Sequence, residues 1–277
     1  MPHLDVPDAS LYYETDGHIS APALLLIHAG VAHLRMWDPL IEALAANHFV
    51  IRYDTRGYGQ TSASNAEFSN RADALAVLDH LGVARATVIG CSRGGSIAID
   101  IAVENPERVA GLVTIGSGPS GFPDVALTDA EETGFRELGL LFEAQDWHRL
   151  CRAEVELWDF GPRRRQADLD PEFVRLAYEL HRMNAAHRAE RPAPTPLKPP
   201  AYGRVATLTV PALVTVGECD LSPALAEYEY LVTTIPGADG HVFPRTAHLP
   251  SVESPDEFLR VLMGWLLEAD ARLSRIV

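Results

Sequence analysis

Thr87-Val88-Ile89-Gly90-Cys91-Ser92-Arg93-Gly94-Gly95-Ser96-Ile97-Ala98-Ile99 is the stretch that decides the fold of this chain. A short β-branched run leads into Gly90-Cys91-Ser92-Arg93-Gly94, a G-x-S-x-G pentapeptide, and a run suited to a helix comes next. That pattern belongs to a strand, a sharp turn and a helix, with the serine hydroxyl lifted clear of the sheet. Small residues at both ends let the backbone pinch. Ser92 then stands at a helix N-terminus, where unpaired N–H groups and the helix dipole favour negative charge. Five residues alone also permit a glycine-bounded turn with an idle serine, so the partners decide.

A serine hydroxyl is a weak nucleophile at neutral pH and needs a base held against it. On a strand–turn–helix elbow the order along the chain is Ser, then Asp or Glu, then His. Asp220 closes the strand-like run Ala212-Leu213-Val214-Thr215-Val216-Gly217, where an open α/β sheet builds its sites, and Glu218 is its rival. His248 falls in a loop before Pro250 and the last helix. His241 competes for the role of base, but it lies inside a strand pattern rather than a loop.

Outward from the elbow, short apolar runs alternate with amphipathic ones, which points to strands joined by crossover helices. Strands are predicted at 11–13, 23–28, 48–53, 86–90, 109–115, 210–216 and 241–243. Helices are predicted at 36–46, 70–81, 94–104, 223–232 and 255–268. Between about Gly118 and Pro200 the alternation stops, and three helical stretches are expected near 129–144, 148–158 and 171–190. The proline-rich run 191–200 cannot continue a helix and reads as a stiff connector.

Taken together, the chain resembles the α/β-hydrolase superfamily, in its serine-nucleophile subgroup, over nearly its whole length. The resemblance rests on Leu26-Ile27-His28-Ala29-Gly30, Asp54-Thr55-Arg56-Gly57-Tyr58-Gly59, the serine elbow, Gly217-Glu218-Cys219-Asp220, and His248-Leu249-Pro250 followed by Glu253-Ser254-Pro255. It implies a mostly parallel eight-stranded sheet flanked by helices, with a helical cap inserted after the sixth strand. Residues 1–118 and 201–277 would form the core domain and 119–200 the cap. It implies Ser92 as nucleophile, His248 as base and Asp220 as the acid that orients it. The other position where relatives keep the acid, after the preceding strand, holds Gly116-Ser117-Gly118 and offers none. An oxyanion hole is implied from the backbone N–H groups of Gly30 and Arg93, although Ala29 stands where the family usually has glycine.

The implied activity is hydrolysis of a small or medium, rather apolar ester or lactone through an acyl-enzyme, without a cofactor. The same framework in relatives also supports C–C bond hydrolysis, thioester cleavage, lyase and perhydrolase chemistry, and ligand sensing. Within the insertion, Phe142, Trp158 and Phe160 are the candidates to contact substrate, while packing is the commoner fate of such aromatics. His28 is expected to brace the oxyanion loop.

The resemblance implies a small-molecule partner, and composition argues against others. The formal charge of −15 opposes nucleic-acid binding, and Arg163-Arg164-Arg165 reads as a solvated helix end. Three widely spaced cysteines, Cys91, Cys151 and Cys219, suggest neither a disulfide framework nor a metal cage, and His181 and His187 lack zinc-helix spacing. No membrane-length apolar run or secretory leader is read, so a cytoplasmic monomer or homodimer is expected.

Overall fold

The computed structural model describes residues 2–188 and 190–273. Its centre is one sheet whose main strands are β1 (His3–Val6), β2 (Ala9–Asp16), β3 (Ala23–Ile27), β4 (Phe49–Tyr53), β5 (Ala86–Cys91), β6 (Val109–Ile115), β7 (Ala212–Gly217) and β8 (Asp239–Phe243). Their spatial order is β1-β2-β4-β3-β5-β6-β7-β8, and the two-residue strand Ser62–Ala63 adds to β2. The β1/β2 and β2/β4 pairs are antiparallel and all later pairs parallel. The eight-stranded, mostly parallel sheet expected from the sequence is therefore present.

Parallel strands covered on both faces read as near-continuous apolar runs. In β3 the pleat sends Leu25 and Ile27 into one core cluster and Leu24 and Leu26 into the other. Helices α1 (Asp38–Ala45), α2 (Asn70–His80), α3 (Arg93–Glu104), α7 (Ser222–Thr234) and α9 (Pro255–Leu273) flank the sheet, with the one-turn α8 (Pro250–Glu253) before the last. Ser69 caps α2 by accepting from the Ala72 N–H.

Between β6 and β7 lie α4 (Asp129–Glu143), α5 (Trp147–Glu154) and α6 (Pro171–Met183). A Thr128–Glu131 capping box starts α4, and Asp170 followed by Pro171 starts α6. The insertion shares a core with the sheet. Its Val155, Phe160, Phe173, Ala177 and Leu180 join the cluster that holds Leu24, Leu26 and Ile89 of the sheet.

Several expectations shift. The helix expected from residue 36 begins as a 3-10 turn, Leu34–Trp37, and becomes α-helical at Asp38, with Pro39 in its first turn. The stretch read as one helix to Trp158 changes after Glu154 into a π-helical turn, Val155–Asp159, closed by the Phe160 N–H donating to the Val155 carbonyl at 3.0 Å. The helix expected to reach Glu190 stops at Met183, where Asn184 turns away to donate to the Ala32 carbonyl and accept from the Gly59 N–H. Among the described residues, no helix is long and apolar enough to cross a membrane.

The registers Ile27 opposite Gly90, Cys91 opposite Ile115 and Ile115 opposite Thr215 align the C-terminal ends of β3, β5, β6 and β7. Ala29-Gly30, Ser92, Gly116 and Asp220 lie just beyond those ends, along one edge of the sheet.

Candidate active site

Ser92 is the single residue between β5 and α3, with φ 53° and ψ −122°. A non-glycine residue there is strained and persists only where its surroundings over-determine it. Here the Ser92 N–H donates to the Ile115 carbonyl at 2.8 Å, and its carbonyl accepts from Gly95 and Ser96 at 2.9 and 3.1 Å. The flanking glycines have steric causes. A Cβ on Gly90 would lie 2.2 Å from the Gly94 oxygen, and one on Gly94 would lie 2.2 Å from the Ile27 oxygen. The pentapeptide thus marks the crossing of three backbones.

Asp220 and His248 meet, both buried, and the His248 carbonyl lies 3.6 Å from Cys91 Sγ beside this turn. The His248 Nδ1–H donates to the Asp220 carboxylate, 3.0 Å from each oxygen. That hydrogen bond leaves Nε2 as the acceptor side of the ring. Nε2 is buried and makes no hydrogen bond, so the contact with the Ser92 hydroxyl that proton transfer needs is not formed in this structure. Such bonds commonly tighten only when substrate is present. The sequence rivals lie elsewhere: Glu218 accepts from the Arg245 N–H, and the His241 ring packs on Phe243 along β8. Gly116, at φ 54°, explains why position 116 carries no acid. A Cβ there would sit 2.8 Å from Asp220 Oδ2 and 3.2 Å from His248 Nδ1, in space the pair already fills.

Burial by itself lowers the pKa of His248, but Asp220, then Asp159 and Glu227, outweigh it and raise the pKa above 6.5. Neither Asp159 nor Glu227 stands out in the sequence. Asp159 is fully buried, both its oxygens lack hydrogen bonds, and His181 Nε2 faces it at 3.4 Å. Burial pulls His181 down, yet Asp159 and Glu154 lift it to about 9. Burial next to Asp220 pushes Glu227 up to about 7. The one local clue to Asp159 is an acid set in the apolar run Leu157-Trp158-Asp159-Phe160.

Gly30 and Arg93 also come together: a Cβ on Gly30 would lie 3.8 Å from the Arg93 Cβ. His28 braces this loop by donating from Nδ1 to the Ala29 carbonyl at 2.8 Å and accepting the Thr55 N–H on Nε2 at 3.0 Å. Burial and the Arg93 charge hold its pKa well below 6.5. Ala29 is accommodated, fully buried.

The three aromatic candidates separate. Trp158 packs on the His248 ring, centroids 4.8 Å apart. Phe142 lines a cavity of about 410 Å³ that also includes Gly30 and Arg93. Phe160 is buried against Phe173 and Tyr178 and holds the insertion together rather than facing open space. A second cavity, about 450 Å³, lies between Phe122, Leu127, Phe135 and Glu227.

A sheet of this order, with a strained serine after the fifth strand and an Asp–His pair after the seventh and eighth, defines the α/β-hydrolase architecture. A family profile for the alpha/beta hydrolase fold matches residues 22–255, and the chain belongs to that family. It is 28% identical over 262 residues to 3-oxoadipate enol-lactonase 2 of Acinetobacter baylyi, covering 92% of each chain. It is 30% identical over 279 residues to a rhodomycin D methylesterase of a Streptomyces species, covering 88% of this chain and 92% of the relative. The crystal structure of the enol-lactonase from Burkholderia xenovorans superposes with a TM-score of 0.76 at 23% identity, over 96% of this chain and all of that one, a likeness of fold. The chain is a hydrolase.

Proposed function

We propose that the protein hydrolyses a carboxylic ester or lactone through an acyl-enzyme on Ser92, with residues 119–200 acting as a cap over the site. His248 Nε2 takes the proton from the Ser92 hydroxyl as Oγ attacks the carbonyl carbon, and Asp220 holds the ring with Nδ1–H turned inward and stabilises the imidazolium. The N–H groups of Gly30 and Arg93 receive the negative oxygen of the tetrahedral intermediate, where losing one donor costs about 10²–10³ in rate. His248 then returns the proton to the departing oxygen, which leaves as an alcohol or, for a lactone, stays attached to the acyl group. Water, deprotonated by His248, cleaves the acyl-enzyme and regenerates Ser92. No step calls on a cofactor.

The observation that carries this reading is the buried Asp220–His248 pair at the same edge of the sheet as a serine held at φ 53°. Relatives named as a lactonase and a methylesterase support the bond type. The test is covalent labelling by an uncharged fluorophosphonate, mapped by peptide mass, together with turnover of an ester and lactone panel. Label on Ser92, lost together with turnover in Ser92→Ala, is expected. Turnover that survives this substitution would remove the serine mechanism.

A further inference from the structure

The cavity beside Gly30 is bordered by six basic side chains against two acidic ones, Glu154 and Glu190, in a protein of net charge −15. Arg56, Arg93, Arg188, Arg191, His181 and His187 all border it. Most have a carboxylate of their own. Arg56 is held by Asp73 through two hydrogen bonds of 2.7 and 2.8 Å, and Arg188 faces Glu154 at 3.3 Å. His187 faces Glu190 at 2.9 Å, and His181 lies between Asp159 and Glu154.

Arg93 is different. Among the described residues it forms no ion pair. Its guanidinium lies 4.3 Å above the Tyr58 ring and donates to the Thr55 hydroxyl, while its buried Nε makes no hydrogen bond. A half-buried guanidinium with no carboxylate partner is a ready carboxylate receptor, because its planar fork matches two oxygens at once. Among the described residues, the exposed Arg191 is the other cavity arginine without an acidic partner.

From this unpaired charge we propose that the substrate carries a carboxylate, bound by the Arg93 side chain a few bonds from the reacting carbonyl. The proposal rests on the serine reading above and names its substrate class: an acidic ester or lactone, in place of the rather apolar one expected from the sequence. The spacing follows from covalent structure. The N–H of Arg93 is assigned to the oxyanion and its guanidinium to the carboxylate, so the two groups of the ligand are separated by no more than one arginine side chain. Arg93 is thus a specificity residue through its side chain as well as an oxyanion donor through its backbone.

The test compares the nitrophenyl monoester of glutaric acid with nitrophenyl pentanoate, which has a chain of the same length without the charge. The readout is the ratio of their kcat/KM values. The wild-type ratio is expected to favour the charged ester by at least about tenfold, and Arg93→Met to lower that ratio by about 10- to 100-fold, mainly through KM. Arg93→Lys, which keeps the charge but not the fork, should fall between them, and raised salt should shrink the wild-type preference. A wild-type preference for pentanoate would overturn the assignment without needing any variant, as would a ratio unchanged in Arg93→Met. The serine reading fails separately: Ser92 would then resist the uncharged fluorophosphonate and both esters would stay intact, taking this proposal with it.

Discussion

Substituting Gly116 by alanine isolates the contribution of the Asp220–His248 geometry. The added methyl would stand 2.8 Å from Asp220 Oδ2, about 0.6 Å inside the 3.4 Å where van der Waals contact becomes ordinary, and 3.2 Å from His248 Nδ1. Its three nearest atoms all belong to these two side chains, so the carboxylate and the ring are the parts that yield. A displacement of ~1 Å in a catalytic geometry costs about 10² in rate, so a shift of this size should lower kcat by roughly 10- to 100-fold. Weakening the carboxylate's hold also removes the largest influence raising the pKa of His248, so the acid limb of the rate profile should move downward.

Alanine at a positive φ carries a separate backbone cost of about 1–2 kcal/mol, which lowers Tm by a few degrees in a chain of this size. Gly82 supplies the control. It has φ 69°, and a Cβ there meets nothing within 4 Å. Gly82→Ala should therefore show a comparable loss of Tm with kcat within about twofold of wild type, since its cost is backbone strain alone. Thermal denaturation and steady-state ester hydrolysis on the two variants separate the effects. If Gly116→Ala retained kcat/KM equal to that of Gly82→Ala, steric crowding of the pair would not matter to the reaction and the assignment of Asp220 would lose its support.

Two further outcomes are expected. A base must be neutral to accept a proton, so activity should fall as pH drops through the raised pKa of His248, with the inflection above pH 6.5; Asp159→Asn, which removes one of the carboxylates raising it, should move that inflection lower, and an unmoved or higher inflection would separate Asp159 from the site. Gly94→Ala should fail to give a stable fold, or lose several degrees of Tm, because overpacking against the Ile27 and His28 carbonyls at 2.2 and 2.6 Å costs about 1–3 kcal/mol or more; soluble yield and Tm report it, and a wild-type Tm would refute the close crossing of backbones.

The parts of this fold that are legible in the sequence are those where burial on both faces forces an apolar run. Strands β3 to β7 are of that kind, and so are the glycines of the elbow. Strand β1, His3-Leu4-Asp5-Val6, escapes because an edge strand alternates polar and apolar residues and buries little, and β8 reads short because Asp239 and Gly240 lie exposed at its start. The π-helical turn at Val155–Asp159 has no compositional mark: one extra residue in the turn changes which side chains face the sheet, and Trp158 thereby reaches His248. The end of α6 is overshot because the helical pattern continues past Met183, whereas tertiary hydrogen bonds to Ala32 and Gly59 capture Asn184. Chain order singles out Ser92, Asp220 and His248 as candidates, but Asp159 and Glu227, which also raise the pKa of His248, come from the insertion and from α7, far away in sequence.

His28 and His248 show why that tuning needs three dimensions. Both rings are buried, and each has its Nδ1–H bonded to an oxygen acceptor. Desolvation pushes both pKa values down. For His28 the next influence is the Arg93 guanidinium, which pushes the same way, so the ring stays neutral and serves as a fixed strut between the Ala29 and Thr55 backbones. For His248 the neighbours are Asp220, Asp159 and Glu227, all of which favour the imidazolium and reverse the desolvation. Such a divergence between like groups is what the proposed roles, a scaffold residue and an acid–base residue, require. An unpaired arginine beside the strut and carboxylates beside the base also give the site a polarity: a substrate whose negative end lies toward Arg93 keeps that charge away from the carboxylates around His248, and the reverse orientation brings like charges together.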